Sequence, residues 1–178
     1  MKSEKLTRDF FVRDVLTVAP ELLGKILVCR TGEGLVRYRI TETEAYCGEE
    51  DLACHACKGR TPRTEVMYHK GGLTYVYLIY GMYWMLNFVT GHENEPQAVL
   101  IRGLEGLYGP GRLTRRLQID KSFYGEDVTI SQRIWIEDDC LKPEYKTGTR
   151  IGVDYAGEWK DKLWRYFFYF FYFFCIVQ

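Results

Sequence analysis

Glu42 and Glu44 stand two residues apart in Thr41-Glu42-Thr43-Glu44-Ala45-Tyr46, and Tyr46 continues the same alternation. In an extended strand every second side chain shares a face, so both carboxylates and the tyrosine ring point one way. The apolar alternation of Tyr38 and Ile40 leads onto that face, which places two acids where a core is expected. Their Cα atoms would be about 6.6 Å apart, a spacing that two-carboxylate hydrolysis of a glycosidic bond can use.

A second chemical pattern follows at Cys54-His55-Ala56-Cys57, with Cys47 upstream. The C-x-x-C spacing suits a metal or redox site, but no second C-x-x-C completes a tetrahedral set. We therefore expect no metal and no cofactor, and His55 is left for another use. His69 and His92 lie in polar turns and are read as solvated.

The elements that must carry these residues can be traced from periodicity. Apolar spacing at Val15, Val18 and Leu22 predicts a helix over 12–23, stopped at Gly24, followed by a strand over 25–30. Gly32-Glu33-Gly34 turns into a strand over 35–46, so a hairpin delivers the carboxylates at the end of its second arm. Residues 47–72 are polar, glycine-containing and broken by Pro62, which predicts an irregular loop bearing basic groups. Strands over 74–79 and 83–90 form a second hairpin, closed at Tyr80-Gly81-Met82. A short strand over 98–102 precedes Gly109-Pro110-Gly111, which opens a helix reaching about Gln118.

The second hairpin bears on the kind of partner. Tyr75, Tyr77 and Ile79 share one face of its first arm; Tyr83, Met85, Asn87 and Val89 share one face of the second. Tyr80 and Met82 protrude at the turn. Large apolar side chains at a loop tip either pack against a core edge or another subunit, or serve as a wedge between base pairs. In the helix after Gly111, Arg112, Arg115 and Arg116 fall on one face and Leu113 and Leu117 on another, a pattern suited to phosphate but common on solvated surfaces.

Composition sets the outer bounds. A chain of 178 residues is one domain by size and can bury about two thirds of its unfolded surface. Zero formal net charge excludes the global electrostatic footprint of a strongly basic nucleic-acid binder, so a polyanion must be met by local patches such as Lys58, Arg60, Arg63 and Lys70. The first ten residues, rich in charge, lack the apolar region of a secretory signal, so an intracellular, reducing compartment is expected and the six cysteines are read as free thiols. The aromatic run from Tyr166 to Val177 is too short to span a bilayer as a helix. It reads as a last buried strand with an exposed tail, or as a contact for a membrane surface or partner; the strand is favoured, and no membrane association is expected.

At these residues the chain resembles a known family. Glu42-Thr43-Glu44-Ala45-Tyr46, then Glu50-Asp51 and His55, Thr61-Pro62-Arg63, the stretch from Tyr75 to Tyr83 leading to Asn87, and Ala98-Val99-Leu100-Ile101-Arg102 closely resemble the alkyladenine (3-methylpurine) DNA glycosylases in order and spacing. Ala19-Pro20-Glu21-Leu22-Leu23-Gly24-Lys25, Arg150-Ile151-Gly152-Val153 and Ala156-Gly157-Glu158-Trp159 extend the resemblance over nearly the whole chain.

With the elements above, the resemblance implies an α+β fold: a single domain spanning 1–178, with a curved, mostly antiparallel sheet, a protruding β-hairpin and flanking helices. It implies a monofunctional base-excision-repair enzyme that flips alkylated or deaminated purines out of duplex DNA and hydrolyses the N-glycosidic bond with water, acting as a monomer wherever the DNA lies. Carried over residue by residue, Glu44 resembles the general base and Arg102 a residue that helps hold the water. Tyr46, His55 and Tyr77 resemble the walls that stack on the flipped base, Asn87 the residue that crowds out the 2-amino group of guanine, and Val153 a backbone contact closing the water site. Tyr80, with Met82 beside it, resembles the intercalating wedge, while Arg63, Arg112, Arg115 and Arg116 are expected at the DNA backbone. Glu42 is then a structural hydrogen-bonding partner.

Two readings from other classes stay open: a lesion-binding protein without turnover, and a two-carboxylate glycoside hydrolase. The sequence departs from the family at the short connection Gly103-Leu104-Glu105-Gly106-Leu107-Tyr108 and in the atypical aromatic stretch over 166–178.

Overall fold

A computed structural model of the chain describes residues 3–169. Their strands are β1 (Glu4–Lys5), β2 (Ile26–Thr31), β3 (Gly34–Cys47), β4 (Thr74–Ile79), β5 (Tyr83–Thr90), β6 (Gln97–Leu104), β7 (Leu107–Tyr108), β8 (Ile134–Asp138), β9 (Lys146–Gly148) and β10 (Arg165–Phe167). The helices are α1 (Arg8–Phe11), α2 (Val15–Glu21) and α3 (Pro110–Arg116). The main path of the sheet runs β1-β8-β2-β3-β6-β5-β4, and neighbouring strands are antiparallel throughout. This is an α+β fold. The predicted first helix is shorter at both ends: the Asp14 side chain accepts from the Leu16 N–H as N-cap and starts α2 there, while 8–11 form a separate turn of helix. β1, β8 and β9 have no counterpart in the sequence reading. The aromatic run contributes only the end of β10 and the residues to Tyr169; its remainder, 170–178, lies outside the described residues.

β3 is the spine of the molecule. Its first half pairs with β2 and its second half with β10 along one edge, while β6 lies along the other. The register with β6 shifts twice: Ile40 faces Leu104, Glu42 faces Gly103 and Thr43 faces Ile101, so Thr41 is the extra residue on β3 and Arg102 the extra residue on β6. Each bulge reverses which side of the sheet the following residues address. Tyr38 and Ile40 pack in the main core, but beyond Thr41 the core-facing residues are Thr43, whose hydroxyl donates to the Ala19 carbonyl at 2.8 Å, and Ala45. The expectation that Ile40 and the two glutamates share a face is therefore corrected. Without the bulge, the alternation that buries Ile40 would have buried the acids with it.

The sheet separates two apolar layers. On one side α2 and α3 close over Ile40, Ala45, Val99, Ile101 and Phe88. On the other, the loop over 48–72, with short 3₁₀ turns at His55–Lys58 and Glu65–Tyr68, covers Tyr75, Val89 and Ala98. The shortened connection after β6 is a tight β6–β7 hairpin. No helix among the described residues is long and apolar enough to cross a membrane.

Candidate active site

Between the sheet and its loop-covered side lies a cavity of about 440 Å³, whose wall includes Tyr46, His55, Tyr77, Asn87, Arg102 and Val153. Six residues expected from the sequence at the reaction centre and base pocket thus meet at one hollow, and Glu44 adjoins it through Tyr46 and Arg102. β3 supplies Glu44 and Tyr46, β4 supplies Tyr77, β5 supplies Asn87, and the bulge in β6 supplies Arg102. His55 comes from the 3₁₀ turn that begins just after Cys54.

The Glu44 side chain is 0% exposed, and its hydrogen-bonding and ionic partners favour a negative charge, while the nearby Glu42 carboxylate opposes it. Its Oε1 accepts from the Ile151 N–H at 2.9 Å and lies 3.6 Å from Arg102 Nε; its Oε2 accepts from the Tyr46 hydroxyl at 2.9 Å. Burial pushes the Glu44 carboxyl above the usual range, against the opposing pull of Arg102, the Ile151 N–H and the Tyr46 hydroxyl. Desolvation wins, and the result is a stronger base than a surface glutamate. Tyr46 is held protonated by burial and by the neighbouring Glu44 charge, which keeps it a donor.

Glu42 is occupied differently. Arg165 Nη1 donates to its Oε1 at 3.0 Å, and Arg102 Nε lies 3.4 Å from the same oxygen. Arg102 thus bridges the two glutamates. Glu42 anchors that bridge and β10, in keeping with a structural role.

Part of the cavity wall is built of rings. His55 and Tyr77 meet edge to face with centroids 4.6 Å apart, and Tyr75 lies 5.1 Å from Tyr77. His55 Nδ1 and the Tyr75 hydroxyl share a hydrogen bond of 2.8 Å, which fixes the imidazole plane. Asn87 is buried and donates from Nδ2 to the Tyr75 carbonyl at 2.9 Å, so its orientation is set by the backbone. Burial, with the charges of Arg63 and Lys58, lowers the His55 pKa to about 4. The ring is neutral at physiological pH and offers a stacking surface without a charge.

That shift has a consequence for stability. Between about pH 6.5 and 4 the unfolded chain binds a proton that folded His55 refuses, so the fold loses stability as pH falls through this window, on the order of 3 kcal/mol for this one group. In His55→Phe the unfolding free energy measured by urea titration at pH 7 and pH 4.5 should differ less than in the wild type by about that amount. An identical pH dependence in the two proteins would contradict the assignment.

The hairpin tip stands clear of the core. Tyr80 is 86% exposed and Met82 62% exposed. Tyr80 also holds φ at +50°, an uncommon conformation for a bulky residue, next to Gly81 at +67°. Arg112 and Arg115 are exposed on α3. Two of the expected backbone contacts differ from the others: Arg116 donates to the Tyr38 hydroxyl at 2.9 Å and to Glu33 at 2.8 Å, and Arg63 lies over the Tyr77 ring at 5.0 Å from its centroid. Arg63 is therefore part of the pocket wall's support.

Sequence reasoning left several neighbours without a role. Ile151 acts through its main chain, which no side-chain pattern reveals. Arg150 and Asp51 are fully buried and paired, although both belong to motifs visible in the chain, Arg150-Ile151-Gly152-Val153 and Glu50-Asp51. The five cysteines among the described residues are unpaired, and no group of three or more His, Cys, Asp or Glu among those residues could hold a metal ion.

A family model described as methylpurine-DNA glycosylase (MPG) matches residues 9–108 and 106–169. A chain of Psychrobacter cryohalolentis named "Putative 3-methyladenine DNA glycosylase" is 45% identical over 191 aligned residues, covering 90% of this chain and 90% of its own. Chains of the same name from Natranaerobius thermophilus and Rickettsia felis are 42% and 46% identical, covering 92% and 90% of this chain and 94% and 91% of theirs.

Proposed function

The chain belongs to the methylpurine-DNA glycosylase family, and from that premise we propose that it excises methylated and related damaged purines from double-stranded DNA by hydrolysing the N-glycosidic bond. One observation carries the reading furthest: a fully buried carboxylate, Glu44, is held by the Ile151 N–H and the Tyr46 hydroxyl beside Arg102, at the edge of an aromatic cavity.

The damaged nucleotide is turned out of the duplex, at a cost of a few kcal/mol that is smaller when the lesion pairs badly. Stacking returns about 1–3 kcal/mol per base, so Tyr46, Tyr77 and His55 can offset the extrusion. A purine methylated on a ring nitrogen is cationic, and the neutral His55 ring and the tyrosine faces attract it without charge repulsion. Asn87, fixed by the Tyr75 carbonyl, crowds the position of a 2-amino group and disfavours guanine. Tyr80, with Met82, fills the gap left in the stack.

In the chemical step the water oxygen forms a bond to the sugar C1′ while the C1′–N bond breaks. The bonding pair leaves with the purine, and Glu44 takes the water proton. Arg102 holds the carboxylate ionised and orients the water, and the backbone near Val153 closes the site. Water is the nucleophile in this reading, so the activity is that of a glycosylase without strand cleavage.

The test uses duplex oligonucleotides carrying hypoxanthine or ethenoadenine, and methylated duplex DNA for 3-methyladenine. The expected products are free base and an abasic site that breaks only after alkali. Tight binding to damaged duplex with no abasic product would favour a lesion-binding protein, and release of a sugar product without DNA a glycoside hydrolase.

A further inference from the structure

We propose that the buried pair Arg150–Asp51 is a positioning device for Glu44, fixing the Ile151 N–H and the Tyr46 ring against the carboxylate. Its importance to catalysis rests on the glycosylase reading; its geometry does not.

Both side chains are 0% exposed. Arg150 grips Asp51 with both terminal nitrogens, Nη2 to Oδ1 at 2.8 Å and Nη1 to Oδ2. The same nitrogens donate to the Ala45 carbonyl at 3.0 Å and the Trp159 carbonyl at 3.1 Å, while Asp51 accepts from the N–H groups of Cys47 and Ala53, each at 3.0 Å. The pair therefore ties three separate stretches of chain together: the end of β3, the loop that follows it, and the segment after β9. The guanidinium also lies over two rings, 4.9 Å from the centroid of Tyr46 and 5.0 Å from that of Trp164. The next residue, Ile151, donates to Glu44. Two of the groups that touch Glu44 are thus held by one side chain.

Stability alone explains this arrangement poorly. A buried ion pair can often be exchanged for apolar residues without loss, because desolvation consumes its attraction. The Nε–H of Arg150, moreover, is buried with no hydrogen-bond partner among the described residues, which is a cost. Planar, bidentate geometry does serve placement, since it fixes direction as well as distance.

The test is the titration of Glu44 itself, followed by carbon NMR of its side-chain carboxyl in the wild type, Arg150→Met and Asp51→Asn. Loss of the aimed Ile151 N–H and of the nearby cation disfavours the carboxylate, so the Glu44 midpoint should rise by about 1 pH unit in Arg150→Met. Arg150→Lys, which keeps the charge but not the fork, should fall between. In single-turnover base release the acid limb should move by the same amount. An unmoved Glu44 midpoint in folded variants overturns the proposal, as does failure of both Arg150→Met and Asp51→Asn to fold, which assigns the pair to stability alone. Because the NMR titration needs no substrate, a wild type that releases no base refutes the glycosylase reading separately.

Discussion

Glu44→Gln should bind damaged duplex as tightly as the wild type and release base about 10²–10⁴-fold more slowly, the range supplied by general-base assistance. The substitution keeps size and the ability to accept one hydrogen bond but cannot take a proton. Single-turnover release from a hypoxanthine duplex, with binding followed in parallel by fluorescence anisotropy, separates the two effects. Near wild-type release would remove Glu44 from the role of base. The pH dependence gives a second check. Burial lifts the Glu44 carboxyl above 4.5, so wild-type activity should fall as pH drops through that raised value, about tenfold per pH unit once protonation dominates. Glu44→Gln has no such limb. The sign for stability is opposite: a carboxyl whose pKa is raised by folding is most favourable to the fold at low pH and costs stability as pH rises through its folded value. At neutral pH the melting temperature of Glu44→Gln should accordingly match or exceed that of the wild type, which guards against mistaking unfolding for lost chemistry.

Tyr80→Ala should weaken binding to damaged duplex by about 10–100-fold, because the stacking lost is about 1–3 kcal/mol. Tyr80 is 86% exposed and contributes little to the core, so the melting temperature should stay within a few degrees. Alanine keeps the Cβ that makes a positive φ costly, so the substitution leaves that backbone strain in place. Competition binding with damaged and undamaged duplexes tests this, and the loss should be larger for the damaged one, in which the vacated stack must be filled. Equal losses on both would make Tyr80 a general DNA contact; no loss would return it to packing.

Much of the site was legible in the chain because strands have a period of two. Tyr75 and Tyr77 on one arm and Met85 and Asn87 on the other could be placed on a shared face by counting, and they line one cavity. The hairpin tip was legible from Tyr80-Gly81-Met82 for the same reason, since its short loop fixes the register. Counting failed at Thr41, where the face of β3 reverses, because an extra residue leaves no local mark in composition. It failed again for β8, which inserts between β1 and β2 from more than a hundred residues away, and for Arg150, whose partner Asp51 is 99 residues distant. Long-range pairing is decided by the assembled sheet, and a charged residue read alone is normally assigned to the surface.

Thr41 therefore does for the chain what a reading frame does for a message. A version of β3 that kept Thr41 but ran past it in regular alternation would still be an extended, well-paired ribbon, yet everything from Glu42 to Cys47 would exchange sides: Thr43 and Ala45 would face the cavity while two acids pressed into the greasy underside of α2. The bulge, and not the identity of the residue within it, sets the face on which the acids lie, so substitutions at Thr41 should be well tolerated.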